Sequence, residues 1–228
     1  DSTPEPGSSG GESAASRLPS GLTLADPQGA AAGEPRRGGE LRLVRPGPRL
    51  GDFNPSAFAV DWQIPASYLE PLVRPDPSTL RPEPWLARRW EWRDGGQTIA
   101  LFLRDDVHWH DGTPLTAIDA AFSFDVYKND LASAVSGLLE LTQSADAVSD
   151  HEIVIRFAER DANWLFNAAT LPVIAHHQYG SFWQRQSEGA RTLSGFDWSE
   201  STPMGTGPWQ VADWDATGIR FTRFEDHW

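Results

Sequence analysis

The chain contains no cysteine. Disulfides, zinc–thiolate sites and a thiol nucleophile are therefore excluded, while the compartment stays open, since many exported proteins avoid cysteine altogether. Lysine is almost missing as well. Lys128 stands alone against eighteen arginines, a bias that reads as source-genome composition rather than function. No run of eighteen apolar residues occurs, so no segment of the sequence has the length and apolarity of a membrane-spanning helix. There is no apolar signal-peptide core either. Finally, no Phe, Trp or Tyr precedes Phe53, and all eleven Trp and eleven Phe lie from there onward.

Positive charge is scarce relative to negative. Nineteen Lys and Arg face thirty-two Asp and Glu, for a net charge of −13. Asp1–Arg37 holds five acids and three arginines, −2, leaving −11 (−13 + 2) on the remainder. Without a basic stripe, neither nucleic acid nor an anionic membrane surface is an expected partner. The same opening segment is Gly, Pro, Ser and Ala with scattered acids. Its apolar surface is too small to offset the entropy of ordering it, so residues 1–37 are expected to form a disordered tether.

Beyond the tether, periodicity predicts a set of short elements. Gly39–Val44 reads as a strand after a Gly–Gly break, and Val60–Val73 as a short helix before a Pro-bounded strand. Residues 88–107 read as a β-hairpin turning on Asp94-Gly95-Gly96, residues that tolerate positive φ. Ile99, Leu101 and Leu103 share one face of its second strand, with Ala100 and Phe102 on the other, so that strand is expected to be buried on both sides. Val107–His110 extends it, and Asp111-Gly112 turns it. Thr116 then caps a helix, with Asp119 as reciprocal partner and Ala120, Phe124 and Tyr127 as its buried stripe. Later, His151–Phe157 is a strand, Asp161–Ala169 a helix, and the runs around Trp209–Trp214 and Gly218–Phe224 a strand pair.

Four kinds of chemistry compete for these motifs. His108 and His110 share a strand face, a spacing found in metal sites. A metal-dependent hydrolase would still need a third ligand, and the spacing of His151, His176, His177 and His227 selects none of them. Asp111-Gly112-Thr113 matches the tail of the Asp-x-Asp-Gly-Thr phosphatase loop, but Trp109 occupies the nucleophile position and cannot attack phosphorus. No Gly-x-Ser-x-Gly elbow is present. The segment "MGTGPW" lacks the Lys and Ser/Thr of a phosphate loop and reads as a tight strand entry.

Several separated segments, in order, carry a resemblance. They are "GGELRLV", "YLEPLVRPDPSTLRPEPWLARRWEWRDGGQTIALFLRDDVHWHDGTPLTAIDAAFSF", "HEIVIRF" and "PMGTGPWQVADWD…FEDHW". Across Gly38–Trp228 the chain resembles the extracytoplasmic solute-binding proteins of peptide/nickel ABC importers, solute-binding family 5. The resemblance implies an α/β, periplasmic-binding-protein-like fold (type II, cluster C). This chain would hold the first lobe, with an inserted α+β subdomain, and the second lobe would be absent. It implies a discontinuous lobe core of residues 38–70 and 193–228, with residues 71–192 inserted. It makes the His-Trp-His-Asp-Gly-Thr-Pro corner scaffold rather than site. Trp90, Trp109, Trp209, Trp214 and Trp228 fall where the family carries aromatics and are expected in the core. Trp62, Trp164, Trp183 and Trp198 do not.

The function implied is the substrate-binding component of an ABC importer, with a membrane permease as partner, no catalysis, no cofactor and no resident metal. The protein would be a monomer on the periplasmic or extracellular face, with a lipid anchor through an upstream Cys as a further expectation. A sensor that binds ligand without transport is the alternative use. In relatives the loop after the first strand runs along the ligand cleft, which points to Phe58, Ala59, Val60, Asp61 and above all Trp62. Nickel-chelate binders of the family carry a basic residue where this chain has Val173, so the ranking is oligopeptide, then oligosaccharide, then nickel. Peptide pockets read the ligand's main chain and need few distinctive side chains.

Overall fold

The structure is a computed structural model that describes residues 38–42, 53–57, 64–215 and 218–228. The tether expected over residues 1–37 lies outside them. The chain divides into two units, Asp1–Pro46 and Gly47–Trp228. Of the first unit, Gly38–Arg42 is described. It is irregular, Glu40 pairs with Arg42 at 2.7 Å, and Leu41 is 82% exposed. The strand expected over Gly39–Val44 is thus not formed across Gly39–Arg42. A segment whose apolar side chain faces water has no burial to hold it extended.

In the second unit, α1 is a single turn, Pro65–Tyr68, with proline in the first turn, where its missing N–H costs nothing. β1 (Val73–Pro75) and β2 (Pro82–Pro84) then form a small antiparallel ribbon, short because prolines limit its hydrogen bonding. Next comes the predicted hairpin, β3 (Ala87–Arg93) and β4 (Thr98–Leu103). Its turn places Asp94, Gly95 and Gly96 at φ +52°, +65° and +97°, the left-handed region these residues tolerate.

β4 lies inside a four-stranded antiparallel sheet of order β3-β4-β6-β5, where β5 is Thr142–Ser149 and β6 is Glu152–Phe157. Ile99, Ala100, Leu101 and Leu103 are all buried, as two apolar faces demand. Phe102 is covered by the Arg89 guanidinium, 3.4 Å above its ring centre. Ile153, Ile155 and Phe157 of β6 add to the same core. β5 is an outer strand, Thr-Gln-Ser-Ala-Asp-Ala-Val-Ser, with two register shifts. Helix α2, Ala117–Asn129, packs over β5 and β6 and buries Ala120, Phe124 and Tyr127 as its spacing predicts. The Tyr127 hydroxyl reaches the Pro172 carbonyl at 2.7 Å, and burial pushes its pKa well above the ordinary phenol value.

Three further expectations are corrected. Val107–His110 does not continue β4 as a strand; only one bridge, His108 to Pro114, forms, because the chain folds back at once on Gly112. The helix expected over Asp161–Ala169 shrinks to α3, Trp164–Asn167, since Asp161 accepts the Asn163 N–H in a local turn instead of starting a helix. Trp209, expected in the core, is 48% exposed. It opens β7 (Trp209–Trp214) opposite Arg223 at the far end of β8 (Ile219–Arg223), while Val211 supplies the buried contact. Trp109, Trp164 and Trp183 are all buried. Helix α4, His176–Gln184, completes the set and carries Tyr179 and Trp183 inward.

Candidate functional site

The corner between β4 and α2 turns inside three residues. Thr113 N–H donates to Asp111 Oδ1 (2.9 Å), Trp109 N–H to the Thr113 carbonyl (2.8 Å), and Leu115 N–H to the Val107 carbonyl (3.0 Å). Gly112 sits at φ +85°, where a side chain would be strained. The alternation sends Trp109 into the core and leaves His108 exposed.

His110 points at the loop before β7 and is fully occupied there. Its backbone N–H donates to the Gly205 carbonyl (3.0 Å), Nδ1 accepts the Gly205 N–H (3.2 Å), and Nε2 lies 2.9 Å from the Gly207 carbonyl. A carbonyl can only accept, so Nε2 carries the proton and the ring is neutral. Burial holds the pKa of His110 below the ordinary value, outweighing the Gly207 carbonyl and Glu70, which pull it up. Neither nitrogen is left for a metal, and the hydrolase reading through His108 and His110 fails at His110. Among the described residues, no group of three His, Cys, Asp or Glu side chains converges as a metal site.

The same loop cannot cradle phosphate. The Gly205 N–H is held by His110 and the Gly207 N–H by the Tyr68 carbonyl at 2.9 Å. Gly205 lies so close to Tyr68 that an added Cβ would fall 1.7 Å from its carbonyl oxygen. The "GTG" sequence serves close backbone approach, as a tight strand entry requires.

Two buried carboxylates brace this arrangement. Asp119 Oδ2 accepts the Thr116 N–H (2.9 Å), the Thr116 hydroxyl (3.2 Å) and Trp109 Nε1–H (3.4 Å), while Oδ1 accepts the His176 N–H (2.9 Å). The capping pair predicted from sequence is present, and Asp119 also joins the corner to α4. Glu70 Oε1 accepts from Trp85 Nε1 (3.1 Å) and lies 3.2 Å from His227 Nε2; Oε2 accepts from Thr206 Oγ1 (2.9 Å) and Trp228 Nε1 (3.0 Å). Sequence reasoning missed Glu70. Its one signal is a carboxylate inside the apolar run "YLEPLV".

The expected ligand-facing residues Phe58, Ala59, Val60, Asp61 and Trp62 lie outside the described residues. What precedes them is anchored: Ser56 Oγ reaches Asp130 Oδ2 at 2.7 Å, and Asn54 Nδ2 reaches Ser194 Oγ at 3.1 Å. Val173 is 2% exposed, and its N–H donates to the Glu70 carbonyl at 2.8 Å. It stands in the core directly beside the chain that leaves α1. Among the described residues, one surface groove of about 450 Å³ runs between Trp92, Arg160 and Phe166, and another of about 520 Å³ between α2 and β5. Val173 lines neither of them.

Residues 81–228 match the family model described as bacterial extracellular solute-binding proteins, family 5 Middle. A Brucella ovis protein named for ABC-transporter peptide binding is 30% identical over 168 residues, 73% of this chain and 31% of its own. The SapA protein of Escherichia coli, named as an ABC transporter periplasmic-binding protein, is 31% identical over 237 residues, 92% of this chain and 41% of its own. The Bacillus subtilis oligopeptide-binding protein AppA, solved with a nonapeptide, superposes with a TM-score of 0.69 at 22% identity, over 79% of this chain and 35% of AppA. The chain thus spans 31% and 41% of the lengths of the two curated relatives named here.

Proposed function

Because the chain belongs to the bacterial extracellular solute-binding proteins of family 5, we propose that the whole protein is the substrate-binding component of an ABC importer. It captures an oligopeptide outside the cytoplasm and delivers it to a membrane permease. The observation that carries this reading is the match to SapA over 92% of the chain. The peptide preference draws support from the peptide-binding name of the Brucella protein and from the absence of a basic residue at position 173. The binding loop is Phe58–Trp62, with Val173 packed beneath the chain that follows it. The protein has no catalytic role, acts as a monomer, and sits on the periplasmic or extracellular face, held by a lipid anchor.

The proposed lobe has a core of residues 38–70 and 193–228 with residues 71–192 inserted. Long-range bonds support that pairing: Thr206, His227 and Trp228 all meet Glu70, and the Gly207 N–H meets the Tyr68 carbonyl. The four-stranded sheet and α2 fall inside the insertion.

Thermal-shift screening of the full-length protein against peptide, oligosaccharide and nickel-chelate libraries tests the reading. A rise in melting temperature with peptides alone is expected. Stabilisation only by sugars or only by chelates would overturn the peptide assignment.

A further inference from the structure

Three side chains with metal-binding chemistry, one of them Asp111 of the corner itself, meet outside both the His110 clamp on the Gly205–Gly207 loop and the carboxylate braces. His177 Nε2, on the second residue of α4, lies 3.1 Å from Asp111 Oδ2 and 3.1 Å from the Sδ of Met204. Met204 is the single methionine of the chain. Each donor is aimed by its neighbours. Asp111 Oδ1 is held by the Thr113 N–H at 2.9 Å, which turns Oδ2 toward His177. The His177 ring stands edge-on to the buried Trp109 ring, with centroids 5.9 Å apart. Met204 immediately precedes Gly205, which His110 and the Tyr68 carbonyl fix in place.

One N–H on Nε2 cannot serve a carboxylate oxygen and a thioether sulfur with good geometry at once. A cation in place of that proton can be shared by all three. Donors about 2.0–2.4 Å from a common ion and at about 90–110° to one another stand about 2.8–3.6 Å apart, which brackets both separations found here. The side chains of His177 and Asp111 are 34% and 37% exposed, so an ion can enter without local unfolding.

We propose that His177 Nε2, Asp111 Oδ2 and Met204 Sδ bind a single copper ion, with water completing its coordination. The donor set selects the metal. A thioether disfavours the hard ions Mg²⁺, Ca²⁺ and Mn²⁺, and among divalent ions that suit imidazole and carboxylate, copper binds above nickel and zinc. A structural zinc site would call for four protein ligands. The net charge of −13 raises the local concentration of any cation. None of the three donors is among the residues proposed for the solute loop, so the proposal does not rest on that reading.

The test is calorimetric titration of the metal-stripped full chain with Cu(II), Ni(II) and Zn(II) salts, with paramagnetic resonance of the copper form. One site is expected to prefer copper and to show imidazole nitrogen coupling. His177→Ala, Asp111→Asn and Met204→Leu should each weaken that site about tenfold or more, and Met204→Leu should also remove the sulfur-to-copper absorption. His108→Ala should leave it unchanged. Circular dichroism establishes that each variant is folded, and His177→Gln replaces the alanine variant if that one is not. Failure of the parent chain to bind copper, full-strength binding by Met204→Leu, or preference for zinc or nickel would each overturn the proposal.

Discussion

Asp119 and Glu70 are both buried carboxylates with four donors apiece, yet they hold the fold in different ways. Asp119 draws two of its donors from backbone N–H groups at helix starts, those of Thr116 and His176, and a third from the Thr116 hydroxyl. Most of that is local chemistry at an N-terminus, where a carboxylate is favoured anyway. Glu70 receives side chains only, and Thr206, His227 and Trp228 lie far along the chain from it. The first organises an element. The second closes the fold, joining the end of α1 to the segments before β7 and after β8.

That difference sets the sizes of the predicted effects. Gly205→Ala should be the most damaging, because its Cβ would meet the Tyr68 backbone rather than a movable side chain. The expected loss is about 4 kcal/mol or outright failure to fold, read by urea unfolding. Ordinary stability in this variant would mean that the loop does not approach Tyr68 as described. Glu70→Ala leaves two tryptophan N–H groups and a threonine hydroxyl without their acceptor and should cost about 3 kcal/mol. It should also make the segment after β8 more sensitive to protease, which a defect at Asp119 would not do.

Acidification probes the clamp that lies between these two braces. The folded His110 is harder to protonate than the unfolded one, whose pKa is near 6.5. Its contribution to stability is therefore complete above that value and is lost as pH falls through the lowered folded value. Protonating Nδ1 also removes the acceptor for the Gly205 N–H. Glu70, Asp111 and His227 face the same ring, the first two favouring its charge and the last opposing it. Unfolding curves of the parent and of His110→Asn between pH 7.5 and 5 should converge as pH falls. Parallel curves would remove His110 from the account. Thr116→Ala should be the mildest, costing about 1 kcal/mol, because Asp119 still accepts the Thr116 N–H.

The two braces also divide what a sequence discloses from what it conceals. Asp119 was legible because a capping pair is spaced within one turn, ahead of a helix whose apolar stripe repeats at 3 and 4. β4 was legible because two apolar faces leave a continuous run. Glu70 was not, because its partners are set by the folded path and no local spacing records them. β5 escaped for a related reason: its Ser, Asp and Gln side chains face solvent, and only pairing with β6 makes it a strand. Helix α4 has Ala175 at its N-cap, takes its capping carboxylate from the distant Asp119 and carries Gly180, so nothing local marks its start. The family resemblance misled at Trp209, where the aromatic pattern says core and the position at a strand end says surface. At the expected binding loop, the family resemblance supplied Phe58–Trp62, and the composition of that stretch marks nothing by itself.

The central claim is that the His-Trp-His-Asp-Gly-Thr-Pro corner is scaffold for a solute-binding lobe and takes no part in binding the solute. Peptide affinity of the full-length protein, measured by calorimetry for the parent and for His108→Ala, tests it most directly. The exposed His108 side chain belongs to neither brace nor clamp, so the two proteins should bind the same peptide equally within about twofold, a difference of about 0.4 kcal/mol. A folded His108→Ala protein that no longer binds peptide would contradict the account and return the corner to the site.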